Sequence, residues 1–140
     1  MTRINLIDPH ELTDQHLVAE YREIFMIGPA LQRTIHSKRG LDLNRIPKKF
    51  TLNTGHVLHF YDKGLYLFNR YQDLRREMVK RGMKPDITRH FNVSHWPREL
   101  FNDWAPTEDD MNVVRCRIQK RISQRPGWYR HNGKTLFSSS

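Results

Sequence analysis

Thr2 and Glu23 are the residue types from which chemistry could be built near the start of this chain. The first six residues read MTRINL, and a small second residue predicts removal of Met1, leaving Thr2 with a free α-amine. Such an amine has a pKa of roughly 7.7–8.0, against about 10.4 for lysine, so roughly a tenth is the neutral nucleophile at pH 7. Arg3 and Arg22 would lower it further by disfavouring one more positive charge. The expected group is an activated amine able to attack an electrophilic carbon such as a sugar C1′.

Gln15, Ala19, Arg22 and Met26 follow one line at helical spacing, with His16, Glu20 and Glu23 on the adjacent line, away from Leu17 and Tyr21. Gln, His, Arg and Glu side by side near the chain start could form a site. Spacing alone favours a solvated face, where an Arg–Glu pair is worth about 0–1 kcal/mol.

A second constellation lies toward the other end. Between residues 115 and 134 there are seven bases (Arg115, Arg117, Lys120, Arg121, Arg125, Arg130, Lys134) and no acid, with Trp128-Tyr129 among them. Rings can stack on unpaired or distorted bases while arginines hold phosphates. Arg117 and Arg121, four apart, are expected on one face roughly opposite the apolar stripe of their helix. The plainer alternative is a solvated basic helix whose Trp128 and Tyr129 close the core.

The whole composition points the same way. The chain carries 24 Lys+Arg against 15 Asp+Glu, a net charge of +9, which favours a polyanionic partner through counterion release. The bases are spread over several segments, which suits nucleic acid better than the basic amphipathic helix of a membrane-surface binder. No window reaches the roughly 20 apolar residues of a membrane span, and no secretory signal is recognisable, so an intracellular protein is expected. Cys116 is the one cysteine, which excludes an internal disulfide. His56 and His59 lie three apart, while His36, His90 and His95 are scattered with no carboxylate at a ligand spacing. They are expected as core or surface residues rather than metal ligands.

The elements that must position these groups follow from periodicity. With 140 residues, one domain spanning 1–140 is expected. Asp8-Pro9 with Glu11 predicts a helix start, and Leu17, Tyr21, Ile24 and Phe25 its apolar stripe. Gly28-Pro29 should kink or interrupt it before Leu31–Ile35 resumes. Residues 41–55 read as loop. Residues 65–81 predict a second helix, with Leu67, Phe68, Tyr71, Leu74 and Met78 inward and a left-handed cap at Gly82. Residues 83–106 show no sustained period. Thr107 and Asp110 predict a capping box opening a third helix on Met111, Val114, Ile118 and Ile122, stopped by Pro126-Gly127. The sum is an all-α single domain of about three main helices with long irregular loops and a flexible C-terminal end.

The stretches MTRINL, LTDQHLVAEYRE (12–23), GHVLHFYDK (55–63), KRG (80–82) and QRPGWYRHNGK (124–134) together resemble the pyrimidine-dimer DNA glycosylase/abasic-site lyase family of the bacteriophage ultraviolet-repair type. The resemblance runs through nearly the whole chain; 84–112 carries little of it. It implies a compact all-α DNA repair enzyme of phage, viral or bacterial origin, monomeric, associated with the nucleoid and needing no metal or organic cofactor. Thr2 would attack C1′ of the 5′ pyrimidine nucleotide of a cyclobutane dimer, forming an imine from which β-elimination breaks the strand. Glu23 would be the essential carboxylate. Arg3, Gln15, His16, Arg22, Arg117, Arg121, Trp128, Tyr129 and Arg130 match positions that hold duplex DNA or its lesion. One departure follows Glu23: IFMIGPA stands where the family continues with proline and a base, so Met26 replaces a cation. Another lesion, such as a ring-opened purine or a plain abasic site, is the alternative this leaves open, beside a non-catalytic DNA-binding module.

Overall fold

The computed structural model describes residues 2–136; Met1, whose removal is expected, and the final serines, expected to be flexible, lie outside the described residues. Four long helices carry the domain. They are α1 (Asp14–Glu23), α2 (Ile27–Ile35), α4 (Gly64–Lys80) and α5 (Glu108–Gln124), with a single turn α3 (His56–His59) between the second and fourth. The one small sheet among the described residues pairs β1 (Arg130–His131) with β2 (Lys134–Thr135). The expected all-α class holds.

The first helix starts later than Asp8-Pro9 suggests. That pair caps only a 3₁₀ turn at Pro9–Glu11, and α1 begins after Thr13, whose Oγ1 accepts the N–H of His16. The interruption expected near Gly28-Pro29 lies just upstream, as a 3₁₀ turn at Ile24–Met26. Pro29 then falls in the first turn of α2, where its missing N–H costs nothing. Gly28 is required for another reason: any Cβ there would collide with the His95 ring.

α4 ends as expected. Gly82 is left-handed (φ 83°), its N–H donates to Val79 O, and the N–H of Met83 donates to Met78 O. α5 opens with the expected reciprocal box, Thr107 Oγ1 accepting from Asp110 N and Asp110 accepting from Thr107 N.

α1 packs on α4, and Leu17, Tyr21, Leu67, Tyr71, Leu74, Val114 and Ile118 are buried in the shared core with Ile4, Leu6 and Ile7 of the N-terminal segment. The tail is folded rather than irregular. Asn132 (φ 53°) and Gly133 (φ 82°) form the left-handed pair that a two-residue hairpin needs. Asp14 at the start of α1 accepts both their N–H groups.

Candidate active site

Residues 2–7 lie outside any helix or sheet, with a turn at Leu6 (φ 60°), so the buried N–H groups ahead of that turn need acceptors from elsewhere. Three consecutive amides find three side chains. Arg3 N–H donates to Glu23 Oε1 (2.9 Å), Ile4 N–H to His56 Nε2 (2.9 Å) and Asn5 N–H to Glu20 Oε1 (3.1 Å). Thr2 is thereby held within one residue of the Glu23 carboxylate.

Each acceptor is itself fixed. Glu20 has no exposed side-chain surface and is gripped by Arg70 of α4, whose Nε and Nη2 donate to its two oxygens while Nη1 donates to Ile7 O. The expected place for Glu20 on an open polar face is therefore wrong: the same helical line that leaves Glu23 half-buried turns Glu20 into the core. His56 Nδ1 lies 2.7 Å from Thr51 O, so that nitrogen carries the proton and Nε2 is free to accept. Burial lowers its pKa to about 4, which keeps it in this neutral form.

The charged groups divide among three hollows. A cavity of about 200 Å³ is bounded by Arg3, His16, Glu23, Arg117 and Arg121, together with Asn5 and Glu20. A larger groove of about 850 Å³ begins at Thr2 and Arg3 and extends past His56 to Asp42 and Arg45. A shallow third hollow lies between Gln15, Arg22 and Arg130. Burial raises the Glu23 pKa, opposed in part by the hydrogen bond from Arg3, so this carboxyl can hold a proton closer to neutrality than an exposed one. Burial, reinforced by Arg3 and Arg121, destabilises the charged Arg117.

Arg117 and Arg121 thus face the site, correcting the expectation that they lie opposite the apolar stripe. At about 100° per residue they flank Ile118 and border the core. Arg115, one of the seven bases of this stretch, is paired with Glu11 (2.9 Å) and Glu108 (3.0 Å).

The aromatic tail splits its roles. Tyr129 is buried and stacks on His16, ring centroids 4.9 Å apart and planes 3° from parallel. Burial together with Arg117 and Arg121 lowers the His16 pKa to about 4. Trp128 is 44% exposed, with the Arg125 guanidinium 4.1 Å from its ring centre. Gln15 spends both ends of its amide on this tail, donating to Trp128 O (2.7 Å) and accepting from Arg130 N (2.9 Å). Met26, where a base is expected, is half exposed and lies 3.6 Å (Sδ) from the Thr2 hydroxyl.

A basic hollow beside a half-buried carboxylate, at the start of the chain, is accompanied by a family-wide match: the model described as pyrimidine dimer DNA glycosylase matches residues 1–91. The chain belongs to the pyrimidine dimer DNA glycosylase family. It is accordingly a DNA repair glycosylase acting on damaged DNA. The matched span contains Thr2, Arg3, Gln15, His16, Arg22 and Glu23, while Arg117, Arg121 and the 128–130 tail lie beyond it. Asn5 and Arg70 are the residues that sequence reasoning missed, and Glu20 and His56 enter it without their roles as backbone acceptors. His56 stands in the quoted GHVLHFYDK stretch, but its use as an acceptor is a contact across 52 residues that spacing does not reveal. Among the described residues no helix is long and apolar enough to cross a membrane, and no three His, Cys, Asp or Glu side chains gather as metal ligands do.

Proposed function

We propose that this glycosylase acts on cyclobutane pyrimidine dimers and also cleaves the abasic strand, using the α-amine of Thr2 exposed by loss of Met1. The amine attacks C1′ of the 5′ pyrimidine nucleotide and the base leaves. The sugar opens to an imine with Thr2, loss of a C2′ proton follows, and the 3′ phosphate is expelled. Glu23 stabilises positive charge developing on the sugar and shuttles protons between these steps. Arg3, Arg117 and Arg121 hold the phosphates of the lesion strand, with Arg22 and Arg130 extending the contact, and His16, Tyr129, Gln15 and Trp128 shape the platform beside it. The protein works on duplex DNA as a monomer.

One observation carries this reading: the hydrogen bond from Arg3 N–H to Glu23 Oε1, which ties the residue following Thr2 to a carboxylate of raised pKa within a ring of arginines. A protein that only bound DNA would gain nothing from a carboxylate there, since it repels phosphate.

The test is borohydride trapping of the untagged protein with irradiated, undamaged and abasic-site duplexes. A covalent adduct dependent on irradiation supports the reading. An adduct on abasic DNA alone points to another lesion, and the loss of all adducts refutes amine catalysis. Full strand cleavage by a chain acetylated at Thr2 would refute it as well.

A further inference from the structure

The cavity beside Glu23 is lined by a buried side-chain amide whose oxygen meets no protein donor. Asn5 is 3% exposed, and its Oδ1 has no partner among the described residues; the buried Nε of Arg3, on the same wall, has none either. Both are costly omissions, since a buried polar atom left unpaired loses about 1–3 kcal/mol. The two atoms do not pair with each other, and the backbone N–H groups of both residues are already committed, Arg3's to Glu23 and Asn5's to Glu20.

One small molecule answers both needs. Arg3 Nε offers a proton and Asn5 Oδ1 accepts one, so the occupant must accept and donate together. A phosphate oxygen can satisfy the arginine but leaves the amide oxygen facing an acceptor. Water accepts from Arg3, donates to Asn5 and retains a second O–H for the Glu23 carboxylate on the same wall. The cavity, about 200 Å³, is roomy enough, and two to four polar partners are what an ordered water requires.

We infer that Asn5 and Arg3 hold the water that releases the enzyme from its own covalent intermediate. This rests on the imine reading above. After strand cleavage, Thr2 is joined to C1′ as a protonated imine that must be hydrolysed before another turnover. The water oxygen bonds to C1′, the C=N π electrons pass to nitrogen, and one water proton goes to Glu23. Glu23 returns that proton to the nitrogen. The C1′–N bond then breaks with its electron pair leaving on the amine, and the remaining hydroxyl proton passes to Glu23 as the aldehyde forms. Asn5 touches no substrate atom in this scheme; it is a positioning residue.

The experiment follows the trappable adduct over time on an abasic-site duplex, adding borohydride at intervals. Asn5→Leu removes the water's acceptor at similar side-chain volume. Its adduct should form at the wild-type rate but persist about tenfold longer, the scale of one lost hydrogen bond, with multiple turnover slowed to match. Asn5→Asp, which restores an acceptor, should shorten the lifetime again. Thermal melting checks folding, and Asn5→Ala replaces the leucine variant if that has no cooperative transition. Unchanged adduct lifetime in a folded Asn5 variant overturns the inference. So does a lifetime that lengthens only in proportion to slower adduct formation, since general disruption of the site would do that. Absence of any adduct with the wild-type protein overturns the imine reading instead.

Discussion

The backbone N–H of Arg3 donates to Glu23 Oε1 at 2.9 Å, linking the first helix to the residue that follows Thr2. The same carboxylate therefore orients the N-terminal segment and serves as its neighbouring acid or base. These two duties can be separated. An amide oxygen still accepts from Arg3 but cannot take a proton. Glu23→Gln should keep affinity for damaged duplex within about twofold while strand cleavage falls by about 10²–10⁴, the usual scale of general acid–base catalysis. Filter binding and single-turnover cleavage on the same duplex measure both; full cleavage would remove Glu23 from the mechanism.

His56 gives the segment its second anchor and makes it sensitive to acid. Its pKa is lowered from 6.5 to about 4, as is that of His16. The unfolded chain thus takes up protons that the folded one refuses between those values, so stability is fully present above about pH 6.5 and declines as pH falls toward about 4. His56→Phe should cost about 1–3 kcal/mol at pH 7.5, because the buried Ile4 N–H loses its acceptor. It should also make the decline between pH 6.5 and pH 4 shallower, leaving the part due to His16 and to His59, whose pKa burial also lowers. Urea midpoints at several pH values test both; an unchanged pH slope would mean that His56 is not held neutral.

Gln15 closes the tail by using both ends of one side-chain amide. Replacing it with leucine keeps the bulk and removes both bonds. Gln15→Leu should therefore accelerate hydrogen exchange at the Arg130 N–H without changing the interior of α4, and destabilise the fold by about 1 kcal/mol for each bond lost. Exchange read by amide-resolved NMR distinguishes this from a residue whose only role is to touch DNA, which would leave the Arg130 amide unchanged.

What could be read in advance was local. The Thr107–Asp110 box, the Gly82 cap and the Leu67–Met78 stripe involve residues a turn or two apart, and each stands as expected. The Asn-Gly hairpin is equally local, yet its two-residue strands are too short to show a period-two pattern among basic and aromatic residues. The site's framework was out of reach for another reason. Glu20 meets Arg70 across 50 residues and Ile4 meets His56 across 52, and no periodicity encodes a polar pair between distant segments. Thr2 came from the chemistry of a terminal amine and Glu23 from family resemblance, because helical spacing alone favours a solvated face for Glu23.

The bases of α5 should not contribute equally to DNA binding. Arg121 is exposed beside the cavity, whereas Arg115 is held by Glu11 and Glu108. Each phosphate contact adds about 0.9 to the log–log salt slope. Arg121→Ala should reduce the slope by about that amount, while Arg115→Ala leaves it unchanged within error. Equal reductions in a salt titration of undamaged duplex binding would mean that Arg115 abandons its carboxylates for phosphate.

Met26 offers the complementary gain. Its sulfur lies 3.6 Å from the Thr2 hydroxyl, and the side chain is half exposed, so a longer cation has room to reach outward from the same point. Met26→Arg should steepen the salt slope by about 0.9 through one new phosphate contact. It should also add positive charge beside the Thr2 amine, disfavouring the ammonium form and lowering its pKa. More of the amine is then neutral below pH 8, so adduct formation on abasic DNA should quicken most at the acidic end of the profile and converge with wild type at high pH. The two effects separate cleanly. A steeper salt slope with an unshifted pH profile would make residue 26 a phosphate contact alone, and a shifted profile without a steeper slope would place its charge on the amine.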